Sequence, residues 1–263
     1  MANTKVISFA NNKGGSGKST TCSNVGYCLS TLGKRVLLID GDMQMNLTLS
    51  FFDEERSLAL AKSGENIYTA VTEGKDISGF ILSTGYPGLD IVPSSTLMSG
   101  IEFELFTKWQ REFILKKALV AVRESGRYDY ILIDAPPTLG CWVMNIMCAS
   151  DYLVIPVEAS PWGLFGLANM FEFYAQVKTI SPNLRLMGIA ITKASERKNY
   201  FKQTLDTLSE WEGVNLFKNY IRVDSAIEWA QDNSKPVMVY KKNSRSAGEY
   251  MELAKEIAEY ADR

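Results

Sequence analysis

The sequence contains no histidine. Ser-His-Asp and Cys-His catalysis, histidine-ligated metals and histidine pH switches are therefore excluded. Any chemistry must come from carboxylates, lysine, arginine, hydroxyls, thiols, backbone amides or a bound ion. Cysteine is scarce, and Cys22, Cys28, Cys141 and Cys148 form no CxxC pair. They read as small buried hydrophobes in a reducing, cytoplasmic compartment. Long apolar runs are also missing. The uncharged stretch between Asp134 and Asp151 contains Pro136, Pro137, Thr138, Asn145 and Ser150, so it is too short and too polar to span a membrane. The opening residues carry no apolar segment of signal-peptide length. Charge of one sign does not dominate either: 28 basic residues stand against 30 acidic ones. The chain is not a polycation, and any contact with nucleic acid has to come from a local patch.

What is present is a chain of 263 residues with 46% hydrophobic content, which suits one large α/β domain over residues 1–263 and excludes wholesale disorder. Short apolar runs alternate with helix-patterned stretches. Val6–Ala10, Val36–Asp40, Leu89–Val92, Tyr130–Asp134, Tyr152–Pro156 and Leu186–Ile191 read as strands. Ser19–Leu32, stopped by Gly33, reads as a helix, as do Leu105–Glu124, followed by Gly126, and Glu249–Ala261. Residues 51–88 carry no regular pattern. Strands that do not alternate are buried on both faces, so the expected fold is a doubly wound, mostly parallel sheet with helices on both faces. In such folds ligands sit at the carboxyl ends of the strands, where Asp40 and Asp134 would lie.

Between the first strand and the first helix runs Asn11-Asn12-Lys13-Gly14-Gly15-Ser16-Gly17-Lys18-Ser19-Thr20. A strict Walker A motif needs glycine at the position of Asn12, so only KGGSGKS fits. Its glycines let backbone N–H groups converge on an anion, and the helix N-terminus adds unpaired donors. Lys18 can reach the β- and γ-phosphates of a nucleotide, and the Ser19 hydroxyl can hold Mg²⁺. Lys13 stands too early in the loop to grip the same phosphates in the same way. It is a cation that can be offered to a second nucleotide across a dimer interface, as an arginine finger is.

The pair Lys13 and Lys18 in KGGSGKST resembles the deviant Walker A box of the ParA/MinD ATPases. Val36 to Thr48, VLLIDGDMQMNLT, is similar to their second acidic box, usually close to VLLVDLDPQGNAT, with Met43 and Met45 in place of proline and glycine. Tyr128 to Gly140, YDYILIDAPPTLG, is similar to their Walker B strand and switch. The order and spacing match over nearly the whole chain, best to the short ParA/Soj-type partition proteins, with no room before Lys13 for the DNA-reading extension of longer types. The resemblance implies a P-loop ATPase using ATP and Mg²⁺. Lys13 would act in trans, Lys18 would serve its own nucleotide and Asp42 would orient the attacking water. Gly14, Gly15, Ser16, Gly17, Ser19 and Thr20 would complete the phosphate site. Ser19, Asp40 and Asp134 would support the Mg²⁺ shell. Near the C-terminus, Ala230 with Lys235-Pro236-Val237 is similar to the family's EA…GKPV, with Ser234 in place of glycine. Adenine contacts are placed near Ile221, Arg222, Val223 and Pro236, although the family's Ile-Pro-Arg lacks its proline here.

The family also implies an ATP-dependent homodimer, non-specific DNA binding, a stimulating partner of the ParB kind and a nucleoid-associated protein. Between Gly213 and Gly248 six basic side chains stand against three acidic ones. Lys218, Arg222, Lys241, Lys242 and Arg245 are the candidate phosphate contacts. Four other readings fit the sequence less well. A MinD-like membrane ATPase needs a basic amphipathic tail, whereas Glu249–Arg263 is acid-rich. An iron–sulfur donor needs a second cysteine between Cys28 and Cys141, and there is none. A tyrosine kinase of the bacterial type needs a clustered tail, whereas Tyr240, Tyr250 and Tyr260 are isolated. A DNA adaptor without turnover does not need the acids Asp40, Asp42 and Asp134.

Overall fold

The computed structural model describes residues 4–211 and 213–262, so residues 1–3, Glu212 and the tail's Arg263 lie outside it. Seven strands, β1 (Lys5–Phe9), β2 (Val36–Asp40), β3 (Leu82–Tyr86), β4 (Leu89–Val92), β5 (Tyr130–Asp134), β6 (Tyr152–Glu158) and β7 (Arg185–Thr192), form one sheet ordered β3-β4-β2-β5-β1-β6-β7. Every neighbouring pair is parallel except β3 on β4.

The pleat sorts the apolar runs. Leu37, Ile39, Ile131 and Ile133 belong to the core on one face, and Val36, Leu38, Tyr130 and Leu132 to the core on the other. Every residue of β2 and β5 is buried, which is why their sequences do not alternate. Among the helices that cover the sheet or flank its carboxyl end are α1 (Lys18–Thr31), α2 (Cys141–Ala149), α3 (Pro161–Ile180), α4 (Ser225–Asp232) and α5 (Arg245–Ala261). On one face α1 contributes Cys22, Val25, Cys28 and Leu29, and α5 contributes Tyr250, Leu253, Ala254 and Ile257. On the other, α2 contributes Trp142, Val143 and Ile146, and α3 contributes Leu167, Met170, Phe173 and Val177. The apolar side of α5 is thus docked on the body. Among the described residues no helix is long and apolar enough to cross a membrane. All four cysteines are free; three are buried and Cys141 is half-buried.

One expectation is corrected, and one stretch without a sequence pattern proves to be structured. Residues 105–124 are not one helix. Gln110 takes a left-handed backbone with φ 50°, and the helical pieces are Ile101–Phe106, Ile114–Ala118 and Val120–Glu124. Asn145 of α2 bridges the break: its amide donates to Arg111 O at 2.5 Å and its Oδ1 accepts from Leu115 N at 3.2 Å. Residues 51–88 hold helices Glu54–Ser63 and Ile67–Thr72 and the antiparallel edge strand β3.

Beyond β7 the chain returns beside its outer edge. Ile189 N donates to Asn215 O at 2.8 Å, Ile221 N to Ile191 O at 2.9 Å and Ala194 N to Ile221 O at 2.9 Å. This return places residues 221–224 at the carboxyl end of the sheet, beside the phosphate loop.

Candidate nucleotide site

The loop Asn11–Gly17 leaves β1 and enters α1. Gly15 and Gly17 take φ of 74° and 82°, values that would strain any residue with a Cβ. Asn12 has no positive φ, so the missing Walker glycine costs this backbone nothing. The loop is braced from outside: Asn11 Nδ2 donates to Pro156 O at 2.7 Å, Asn11 Oδ1 accepts from Lys13 N at 3.0 Å, and Thr192 Oγ1 donates to Ser16 O at 2.8 Å. No side chain caps the start of α1 and its first turn holds no acid. Its free N–H groups and positive dipole end therefore face the loop as an anion cradle.

A cleft of about 490 Å³ opens at this point. Gly14, Gly15, Gly17, Lys18, Ser19 and Thr20 line one side with Asp42; Ile221, Arg222, Val223 and Asp224 line the other. Sequence reasoning did not find Gln231, whose amide donates to Thr20 Oγ1 at 2.8 Å, nor the neighbouring Ile227 and Glu228 of α4 and Lys193 after β7. Nothing in a local motif marks these positions; the carboxyl end of β7 brings Lys193 to the loop, and the chain's return past β7 brings the three α4 residues. Pro236 does not line the cleft. It precedes Val237, whose N–H is tied to Asn24 Oδ1 of α1 at 2.7 Å, and this contact holds the proline behind the wall.

The acids lie at the strand ends. Asp40 and Asp134 are register partners on β2 and β5, and both are fully buried. Adjacent parallel strands are about 5 Å apart, so the two carboxyls crowd one another. Asp40 Oδ1 accepts from Asp42 N at 3.1 Å, and its Oδ2 accepts from Thr48 N at 2.8 Å and Thr48 Oγ1 at 2.6 Å. It anchors the turn that carries Asp42. Burial pushes its pKa up to about 7 against those hydrogen bonds. Burial also lifts Asp42, opposed by the Gln44 N–H and the Lys18 ammonium. Neither oxygen of Asp134 has a hydrogen-bond partner. Burial, and then the Asp40 charge, raises this carboxyl well above the usual range; Ser19 and Lys18 beside it pull the other way, Ser19 without a hydrogen bond of normal geometry.

The Asp40–Asp42 turn is locked to α2. Trp142 Nε1 donates to Gly41 O at 2.9 Å, and Gly41 N donates to Asp134 O at 3.0 Å. A Cβ on Gly41 would stand 2.7 Å from Asp134 O, so this approach requires glycine. Glu102 accepts from Cys141 N at 2.9 Å and Trp142 N at 3.1 Å and caps α2. Met45 adopts φ 57° where the related box has glycine, so the glycine-type backbone path persists under a larger side chain.

The two loop lysines diverge. Lys18 is buried, its Nζ 3.3 Å from Lys13 O. Burial lowers its pKa, while Asp134 and then Asp42 oppose the shift. Lys13 does not line the cleft: its Nζ lies 2.7 Å from Glu158 Oε2 and 3.0 Å from Ser160 Oγ at the end of β6. Ser16 is fully buried and also lies behind the lining.

The donor set fits a magnesium ion held jointly with phosphates. Asp134 presents two buried, unpartnered oxygens and Ser19 a hydroxyl at the cradle. Among the described residues no three carboxylates or thiols cage a metal by themselves, as expected where phosphate and water supply most ligands. Asp40, with three hydrogen bonds already accepted, is suited to support such an ion through its neighbours.

The candidate DNA contacts separate. Lys218, Lys241 and Lys242 are exposed, without ion pairs among the described residues. Arg222 is engaged by Glu249 at 2.5 Å and Glu196 at 3.4 Å. Arg245 donates to Val223 O at 2.6 Å and lies 3.5 Å from Glu249. Both arginines therefore brace the cleft wall, whereas the three lysines stand free of ion pairs among the described residues.

Residues 4–186 match the sequence profile of an AAA domain family. The sporulation initiation inhibitor protein Soj of Bacillus subtilis (strain 168) is 35% identical over 255 residues, 97% of this chain and 98% of that protein. The chromosome partitioning protein ParA of Caulobacter vibrioides (strain NA1000 / CB15N) is 30% identical over 96% of this chain and 93% of its own. A putative plasmid partition protein from Borrelia burgdorferi B31, solved bound to AMPPNP, superposes with a TM-score of 0.79 at 25% identity, covering 98% of this chain and 99% of that one. With a family profile matched over residues 4–186 and relatives 30–35% identical along nearly its whole length, this chain belongs to the ParA/Soj family of P-loop ATPases.

Proposed function

We propose that the protein is a Mg·ATP-dependent partition ATPase that binds DNA without sequence preference as an ATP-bridged homodimer and releases it on hydrolysis. The observation that carries this reading is the meeting of an uncapped α1 N-terminus, Lys18 and Asp42 in one cleft. In the reaction, a water oxygen attacks the γ-phosphorus and ADP leaves. Lys18 and the α1 amides stabilise charge on the phosphates. Asp42, fixed by Asp40 and by the Trp142–Gly41 contact, orients the water. Magnesium, when bound, neutralises phosphate charge; Ser19 and Asp134 are the side chains that would hold it. Lys13 reaches the partner's nucleotide after leaving Glu158, and a charge placed against a transferring phosphoryl group is worth about 10³-fold or more in rate.

Retention on random-sequence DNA depends on ATP in this reading, is absent with ADP, and weakens steeply with salt because phosphate contacts release counterions. A ParB-type partner accelerates turnover, and the protein acts in the cytoplasm on the nucleoid. The test is DNA retention with ATP, with ADP and without nucleotide across a salt series, alongside phosphate release. Equal retention in all three conditions with no phosphate release leaves a passive adaptor. ATP-dependent sedimentation with anionic liposomes, lost on removing the α5 tail, moves the protein to the MinD-like class.

A further inference from the structure

One cleft lysine has no part in the site as described so far. Lys193 follows the last residue of β7 and takes φ 50°, a backbone that non-glycine residues rarely adopt and that concentrates at functional sites. The strain is held from both sides. Before it, Thr192 Oγ1 is bonded to Ser16 O of the phosphate loop at 2.8 Å. After it, Ala194 N donates to Ile221 O at 2.9 Å and Ala194 O accepts from Val223 N at 3.0 Å.

The consequence is directional. In an extended strand, successive side chains point to opposite faces, so Thr192 and Lys193 could not both reach the loop. The left-handed turn brings them to the same side: Thr192 meets Ser16, and Lys193 Nζ lies 3.9 Å from where a Cβ on Gly15 would stand. The Lys193 side chain is exposed and lines the cleft. Lys18 is bonded to Lys13 O, Arg222 to Glu249 and Glu196, and Asp224 to the N–H groups of Ala226 and Ser246. Among the described residues Lys193 makes no hydrogen bond or ion pair.

We infer that Lys193 is a third phosphate-binding lysine, which contacts the phosphate chain of a nucleoside di- or triphosphate from the β7 side of the cleft. The inference rests on the nucleotide reading of this cleft and adds a residue to it. A cation set against the Gly15 segment meets a ligand whose charge is centred there, and the enforced backbone turn gives the side chain its aim.

Lys193→Gly tests it cleanly, because glycine accepts φ 50° without strain. A purely conformational role predicts unchanged or improved thermal stability and unchanged binding. Isothermal titration of the full chain with ADP, ATP and adenosine, in magnesium buffer, reads the difference. The expected result is a loss of roughly ten- to hundredfold in affinity for ADP and ATP, the scale of a hydrogen bond to a charged group. Adenosine affinity and the melting temperature do not fall, and Lys193→Arg recovers most of the loss. ADP affinity within twofold of the unsubstituted protein would overturn the inference while leaving the nucleotide site standing. An equal loss for adenosine would overturn the phosphate assignment. Failure of the unsubstituted chain to bind ATP or ADP at all would remove the nucleotide reading and this inference with it.

Discussion

Replacing Asp134 by asparagine separates what this residue does for the fold from what it does for the ligand. Both carboxylate oxygens are buried without a partner, and the Asp40 carboxyl is its register neighbour on β2. An ionised carboxylate in that position accepts no hydrogen bond of normal geometry and meets the like charge of Asp40, opposed only in part by Lys18. Asparagine has the same shape, carries no charge, and has an amide able to donate toward Asp40. An unsatisfied buried group costs about 1–3 kcal/mol. At about 2–4 °C per kcal/mol for a chain approaching this size, Asp134→Asn raises the melting temperature by about 2–12 °C at pH 8 without nucleotide. The pH dependence has a definite sign. The folded-state pKa of Asp134 lies above its unfolded value, so its stability contribution is full below about pH 4 and is lost as pH rises through the folded value. The advantage of asparagine therefore shrinks toward pH 5. Adding Mg·ATP narrows the difference. A ligand at a hundred times its Kd stabilises by about 2.7 kcal/mol, and the variant gains less because it offers magnesium no carboxylate. Differential scanning fluorimetry at pH 5.5 and 8, with and without Mg·ATP, measures all four corners. A variant that melts below the unsubstituted protein at pH 8 without nucleotide would refute the reasoning.

Lys13→Ala keeps ATP binding by the monomer but loses the ATP-dependent dimer and its turnover, whereas Asp42→Ala accumulates an ATP-locked dimer; size exclusion with ATP distinguishes them. Normal dimerisation and hydrolysis by Lys13→Ala would end the trans role. Trp142→Phe leaves Gly41 O without its donor, at a cost of about 1–3 kcal/mol in stability. It lowers kcat more than it lowers ATP affinity, since the indole fixes the turn before Asp42; a parallel fall in both, read from steady-state kinetics and titration, would show that it merely supports the fold. Lys241→Ala with Lys242→Ala weakens all DNA sequences alike and reduces the slope of log K against log salt by up to about 2. An unchanged slope would remove both lysines from the interface.

The central strands were legible because β2 and β5 are apolar on both faces, a pattern that only a covered parallel sheet explains. The phosphate loop was legible because its glycines, Lys18 and Ser19 are contiguous. What escaped was whatever depends on a distant partner. The break at Gln110 is satisfied by Asn145, 35 positions away, so a helix-like run reads as unbroken. Strand β3, LSTGY, has a glycine in its interior and little apolar pattern, and it exists because β4 offers an edge. The early position of Lys13 sets it apart from Lys18 in the sequence, but its ion pair with Glu158 forms through the adjacency of β1 and β6. Lys193 joins the site from the carboxyl end of β7, and Gln231 and Glu228 join it because the chain returns past that strand.

That return also joins the edge of the sheet to one wall of the cleft. An uncovered outer strand offers unpaired peptide groups to any neighbouring chain. Here residues 214–223 occupy that position and also supply Ile221, Arg222 and Val223 to the cleft. Local opening of this segment would uncover β7 and dismantle the wall in the same event. A nucleotide resting on that wall therefore suppresses the opening by mass action. The amide hydrogens of Ile189, Ile221 and Ala194, all bonded across this seam, are where slowed deuterium exchange would record it. Without the ligand the seam would open more often, and each opening would expose an adhesive margin of the sheet, so the protein's tendency to aggregate would fall as its supply of nucleotide rises.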